Sequence, residues 1–292
     1  MKTRPTAKLA SVVLSAALAG CSYVNTDTGP RNELTLSSPS GKATVSLEGG
    51  RITSWKTACG KELFFMPERP VSPGGDWSHG GTSLCWPWFG RGSSADGAIH
   101  GFARNRRFTL VRRERGDEGE TVRLKMKVSA ADHPEFPHDA VVTLTVSLTD
   151  RLSLVLKTEN TGTRPFEITE GFQSYFAVSS YGKIVFNGVE ATDFAAVDGM
   201  DRAFRRRAGD FGFTDSLAGM TFDMESSGNS GIVVWTPGTV EKANRNLAHD
   251  DCPRFIVIGP SSRAAEGAVT VAPGGSHELK YSMRMRRSDY GS

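Results

Sequence analysis

The chain has 292 residues, 38% of them hydrophobic and 23% charged, with a formal net charge of +3. Three cations (Lys2, Arg4, Lys8) and no acid lie in the first twenty residues, so +3 less 3 leaves residues 21–292 formally neutral. A neutral body gives no reason to invoke nucleic acid as a partner, and the 272 residues that remain suit one large all-β domain as well as two small ones.

The apolar stretch Leu9 to Ala19 follows the charged start. Eleven residues make a helix of roughly 16 Å, short of the ~30 Å hydrocarbon core, so this pattern predicts a secretory signal over 1–20 and not a membrane span. Its exit, Leu18-Ala19-Gly20-Cys21, resembles a bacterial lipobox, which predicts a lipidated Cys21. Ser22 after it resembles lipoproteins sent to the outer membrane, and the expected location is the cell envelope, facing the periplasm. Acyl chains contribute about 0.8 kcal/mol per buried CH₂, so two or three anchor a protein stably. Residues 21–32 are rich in Ser, Thr, Asn, Gly and Pro and read as a flexible tether. Cys59, Cys85 and Cys252 are an odd set; one disulfide plus a free thiol is compatible with them, and the pair stays open.

Over 33–287 the pattern is period-two alternation. Strand signals run through Ala43–Leu47, then Val122 to Val128, Val142 to Leu148 and Leu152 to Leu156, with Asp150-Arg151 turning between the last two. Shorter signals follow at Ile184–Phe186, Ile232–Trp235, Phe255–Ile258, Val269–Val271 and Leu279–Met285. Glu48-Gly49-Gly50, Asn160-Thr161-Gly162 and Pro273-Gly274-Gly275 punctuate them. Strands with one apolar face and no three-turn amphipathic helix predict an antiparallel β-sandwich or barrel. Two stretches, Pro67 to Ala98 and Ala191 to Gly219, read as irregular loops, and Arg205-Arg206-Arg207 within the second reads as a solvated charge run.

The chemistry concentrates between His79 and Arg104. The segment reads His79-Gly80-Gly81-Thr82-Ser83-Leu84-Cys85-Trp86-Pro87-Trp88-Phe89-Gly90, then His100-Gly101-Phe102-Ala103-Arg104. Glycines let a backbone approach a ligand, tryptophan faces stack on sugar rings, and Arg offers a fork for carboxylate or phosphate. The candidate ligand contacts are His79, Trp86, His100, Arg104 and Gln173. Six histidines scatter without ligand spacing, so no metal and no cofactor is expected.

These two segments resemble the early signature of the aldose 1-epimerase superfamily, and within it the hexose-6-phosphate 1-epimerases. Phe136-Pro137-His138, Asn160-Thr161-Gly162, Phe172-Gln173-Ser174-Tyr175-Phe176, Val234-Trp235-Thr236-Pro237, Lys242-Ala243 and Phe255-Ile256-Val257-Ile258-Gly259-Pro260 are similar to its later motifs. The resemblance spans about 35–287 and implies the large antiparallel β-sandwich of galactose mutarotases. It implies α/β anomer exchange, with a His protonating the ring oxygen and a Glu taking the anomeric proton. At those two positions this chain has Gln173 and Gly259, and His79 stands where the family has an Arg. Gln delivers no proton at neutral pH and Gly has no side chain. The expectation is a catalytically degenerate lipoprotein binding a carbohydrate or a sugar-phosphate-like molecule; the alternative is an active epimerase using altered residues. Substitutes for the missing pair would be His249, Asp250 or Asp251, or Glu170, which alternation puts on the opposite face from Gln173.

Overall fold

The computed structural model describes residues 32–67, 79–92, 98–207, 209–237, 254–262 and 267–287. The calls on Cys21, the signal, most of the tether, Lys242, His249 to Asp251 and Cys252 lie outside them. Nineteen strands occur among the described residues, and no helix is long and apolar enough to cross a membrane.

The strands form two facing antiparallel sheets. The first orders β1 (Glu33–Ser38), β2 (Gly41–Ser46), β3 (Ile52–Thr57), β4 (Thr82–Cys85), β10 (Gly171–Ala177), β17 (Phe255–Ser261), β16 (Gly231–Trp235) and β13 (Asp201–Arg205). The second orders β12 (Phe194–Ala195), β11 (Ile184–Asn187), β14 (Phe211–Asp215), β15 (Met220–Ser227), β19 (Ser276–Arg287), β8 (Leu152–Asn160), β7 (Ala140–Leu148), β6 (Gly119–Val128) and β5 (Thr109–Gly116). A two-stranded ribbon of β9 (Phe166–Ile168) and β18 (Val269–Val271) completes it.

The alternating apolar residues of the sequence make the core between the sheets. Val122, Leu124, Leu144, Val146, Leu154 and Leu156 of the second sheet face Leu34, Leu36, Leu84, Phe172, Phe176, Ile256 and Ile258 of the first, all buried. The first sheet is covered on its other face too: Phe65, Tyr175, Phe255 and Val257 form a separate buried cluster there. Strand β17 is therefore buried at every position, as its unbroken apolar run requires.

The stretch Ala191 to Gly219 is not irregular: β12, β13 and β14 lie within it. Its strands escaped the alternation because β13 is a sheet edge, where charged outward residues block further pairing. Arg202 sits 4.5 Å over the Phe204 ring; of the run Arg205-Arg206-Arg207 all three side chains are exposed, and Arg206 also donates from Nε to the Ser226 carbonyl at 3.1 Å. Likewise β4 lies inside the first stretch that read as a loop.

Candidate functional site

The register of the first sheet sets two positions face to face. β10 and β17 pair Gly171 with Ser261 and Ser174 with Ile258, which places Gln173 opposite Gly259. On their other sides Gln173 pairs with Ser83 and Gly259 with Val233. Phe172, Ser174 and Phe176 point into the core, so Gln173 and Tyr175 point away from it, onto the outer face. That face is the floor of the candidate site.

Gly259 is held there by backbone, not only by the absence of a side chain. A Cβ built on it would stand 2.2 Å from the Phe172 carbonyl oxygen, closer than real Cβ atoms come, and 3.1 Å from its carbon. The two strands approach too closely at this point to admit any other residue without moving.

The His-Gly-Phe-Ala-Arg segment is folded onto the end of β4. The Trp86 carbonyl accepts from the Phe102 N–H at 3.0 Å and the Ala103 N–H at 3.2 Å. Gly101 (φ 73°) is required because a Cβ would lie 2.0 Å from that same oxygen. His100 takes a positive φ (67°) although it is not glycine, and Gly90 holds it: the His100 N–H donates to the Gly90 carbonyl at 2.6 Å. The Gly90 N–H donates back to His100 Nδ1 at 3.0 Å. A neutral ring with Nδ1 accepting carries its proton on Nε2. This atom is 3.5 Å from the Gln173 amide nitrogen, and two donors cannot bond. The consistent assignment turns Gln173 Oε1 toward His100 and its NH₂ away from that ring. A short 3₁₀ turn, Ala103–Asn105, then carries half-buried Arg104.

Aromatic rings and cations surround this row. His79 is buried, stacks parallel on Trp235 with ring centroids 6.0 Å apart, and its Nδ1 lies 3.2 Å from the Tyr175 hydroxyl. Buried Arg51 donates to Ser83 Oγ from Nε at 3.0 Å and Nη2 at 2.7 Å. Burial pushes the Tyr175 hydroxyl up to about 12, against the opposing pull of the Arg104 and Arg51 charges. Burial likewise pushes the Cys85 thiol up to about 12, again with Arg104 acting against it. Cys85 is thus a thiol and no nucleophile at neutral pH. Cys59 and Cys85 are both free, so neither makes the disulfide that the sequence left open.

The structure brings together His100, Gln173 and Gly259, with His79 beside Tyr175 on the same face and the Arg104 charge acting on that tyrosine. It does not bring Trp86. That side chain is fully enclosed, edge-on against Phe102 and Phe136, and its Nε1–H donates to Thr158 Oγ1 at 3.0 Å. Alternation from Ser83 outward puts Trp86 inward, so its ring is core and not a platform for a sugar. Glu170 is also inward, as expected: fully buried, it accepts from Thr158 Oγ1 at 3.3 Å on the face opposite Gln173. The sequence reading missed Arg51, Tyr175 and Trp235 as site residues. Tyr175, two residues beyond Gln173, was within reach of the same alternation; Arg51 carried no such signal.

A family model described as aldose 1-epimerase matches residues 32–196. A curated protein of Salmonella typhimurium, provisionally named a glucose-6-phosphate 1-epimerase, is 24% identical over 229 residues, 73% of this chain and 76% of its own length. One from Cenchrus ciliaris with the same provisional name is 27% identical over 263 residues, 80% of this chain and 78% of its own. Among solved structures, a provisionally assigned mutarotase of Salmonella typhimurium superposes with a TM-score of 0.76 at 20% identity, covering 87% of this chain and 90% of that one. A galactose mutarotase-like protein of Lactobacillus casei gives 0.70 at 16% identity, covering 87% and 100%. The fold is thus that of the galactose mutarotases, and the chain belongs to the aldose 1-epimerase family.

Proposed function

We propose that this protein is a non-catalytic member of its family, a lipid-anchored envelope protein that binds an acceptor-rich, sugar-like molecule on the outer face of its first sheet. The observation that carries the reading is the opposed pair Gln173 and Gly259. Neither residue supplies the acid or the base that the resemblance calls for, and the Phe172 carbonyl occupies the place of a Cβ at 259. The Gln173 NH₂, Arg51 and Arg104 give this face donors and positive charge, which favour a ligand rich in hydroxyl, carboxylate or phosphate oxygens. Glucose 6-phosphate, named for the relatives above, is one such molecule.

Binding is tested by thermal shift against neutral sugars, sugar acids and sugar phosphates. A ligand at a hundred times its Kd adds about 2.7 kcal/mol, or roughly 5–10 °C in Tm for a domain of this size. The variant His100→Ala/Arg104→Ala should lose that gain; an unchanged gain would move the ligand to another place. The anchor is tested separately. Cys21→Ser should release the protein from the membrane fraction in a bacterial host and abolish fatty-acid labelling, and persistent labelling would defeat that part of the reading.

A further inference from the structure

A cleft of about 300 Å³ shares no lining residue with the face that carries Gln173. It opens between the loop ahead of β7, residues 133–138, and the Pro87-Trp88 stretch beyond β4, with β9 alongside. Its volume is at the small end of the range for ligand sites, which suits a molecule of about one ring.

Each wall is fixed by what lies beneath it. Phe136 is buried with its ring edge-on to Trp86 and Phe166, and its N–H donates to the His133 carbonyl at 2.9 Å. Its neighbours Glu135 and Pro137 are left exposed. Strand β9 buries Phe166 and Ile168, so alternation turns Glu167 outward between them. On the opposite wall the Thr169 N–H donates to the Pro87 carbonyl at 3.0 Å, and the Phe89 N–H to Thr169 Oγ1 at 3.0 Å. The Trp88 indole is held by its Nε1–H on the Ala98 carbonyl at 2.8 Å and lies edge-on to Phe102. The site is therefore formed before any ligand arrives.

Its polarity is the reverse of that around Gln173. Glu135 and Glu167 are the only formally charged residues in the lining. His138 lines it too, but burial and then the Arg164 charge hold its ring below the usual histidine range, with Asp139 acting against them. Arg164 donates to the Pro137 carbonyl at 3.3 Å. Among the described residues neither glutamate makes an ion pair or a hydrogen bond. Two carboxylates that can only accept thus stand beside an indole, whose ring face attracts cations and the C–H faces of sugars.

We infer that this cleft is a second ligand site, taking a protonated amine carried on a compact ring, the chemistry of an amino sugar. The ammonium donates to Glu135 and Glu167 while the ring lies against Trp88. A neutral sugar offers the ring without the charge, and a sugar phosphate is repelled. The inference holds whatever binds on the outer face of the first sheet.

Calorimetric titration of the full chain with glucosamine, and with N-acetylglucosamine, which keeps the ring and removes the charge, provides the test. Glucosamine should bind saturably and about tenfold or more tighter than N-acetylglucosamine, the worth of one charge-assisted hydrogen bond. The double variant Glu135→Gln/Glu167→Gln, at two exposed positions where folding is not at stake, should weaken glucosamine about tenfold or more. Trp88→Ala should weaken it about two- to fivefold. No saturable binding of glucosamine, equal affinity for the two sugars, or binding untouched by the double variant would overturn the inference.

Discussion

Freshly dissolved α-D-glucose or glucose 6-phosphate, mixed with this protein at high concentration, is expected to mutarotate at its spontaneous rate. Ring opening needs a proton delivered to the ring oxygen while another leaves the anomeric hydroxyl, and each positioned group contributes about 10²–10⁴-fold. Gln173 supplies neither the acid nor the base, because its side-chain amide is neutral and gives up no proton at neutral pH. Gly259 offers nothing opposite it. Glu170, the nearest carboxyl in the sequence, is sealed on the other face of the sheet. Polarimetry or exchange NMR reads the outcome directly, and a rate that climbs in proportion to protein concentration would return the chain to the enzymes. Gln173→His alone should recover little, since it restores an imidazole without a base.

Trp86→Ala should destabilise the protein by about 3–5 kcal/mol, the range for deleting a large buried aromatic side chain. The ring fills the space between Phe102 and Phe136, and its N–H satisfies the Thr158 hydroxyl that in turn donates to Glu170. The loss therefore opens a cavity and loosens a buried polar chain together. Trp88→Ala, at a partly exposed ring whose Nε1–H donates to the Ala98 carbonyl, should cost roughly 1 kcal/mol or less. Urea unfolding of the two variants separates the cases. A Trp86→Ala protein of normal stability that had lost only ligand binding would restore Trp86 to the site.

Much of the sandwich could be read because buried strands repeat every second residue. The runs at 122–128, 142–148 and 152–156 became β6, β7 and β8 with the Asp150-Arg151 turn where alternation put it. Edge strand β13 could not be read this way: Asp201, Arg202 and Arg205 answer to solvent and to the need for an unattractive edge, not to a core. The site was legible as a set of residue types around Gln173, since Gly, His and Arg recur there for reasons of backbone approach and charge. Its orientation was only partly legible. Trp86 carries the same letters as a sugar platform, and only counting outward from Ser83 along β4 shows that it turns inward. Arg51 stands just ahead of β3, and nothing local to Gly49-Gly50 announces a partner 32 residues away at Ser83.

The close approach at Gly259 has a consequence in evolutionary time. A lineage that lost only a catalytic side chain could recover it by a single codon change. Here the Phe172 carbonyl has settled into the volume such a side chain must leave through. A carboxylate arriving first would meet a closed door and be selected against on stability before it could be rewarded for chemistry. The strands would have to separate beforehand, a change with no benefit of its own. The proposed loss of turnover is thus held by geometry as well as by sequence, a ratchet whose pawl is one peptide oxygen.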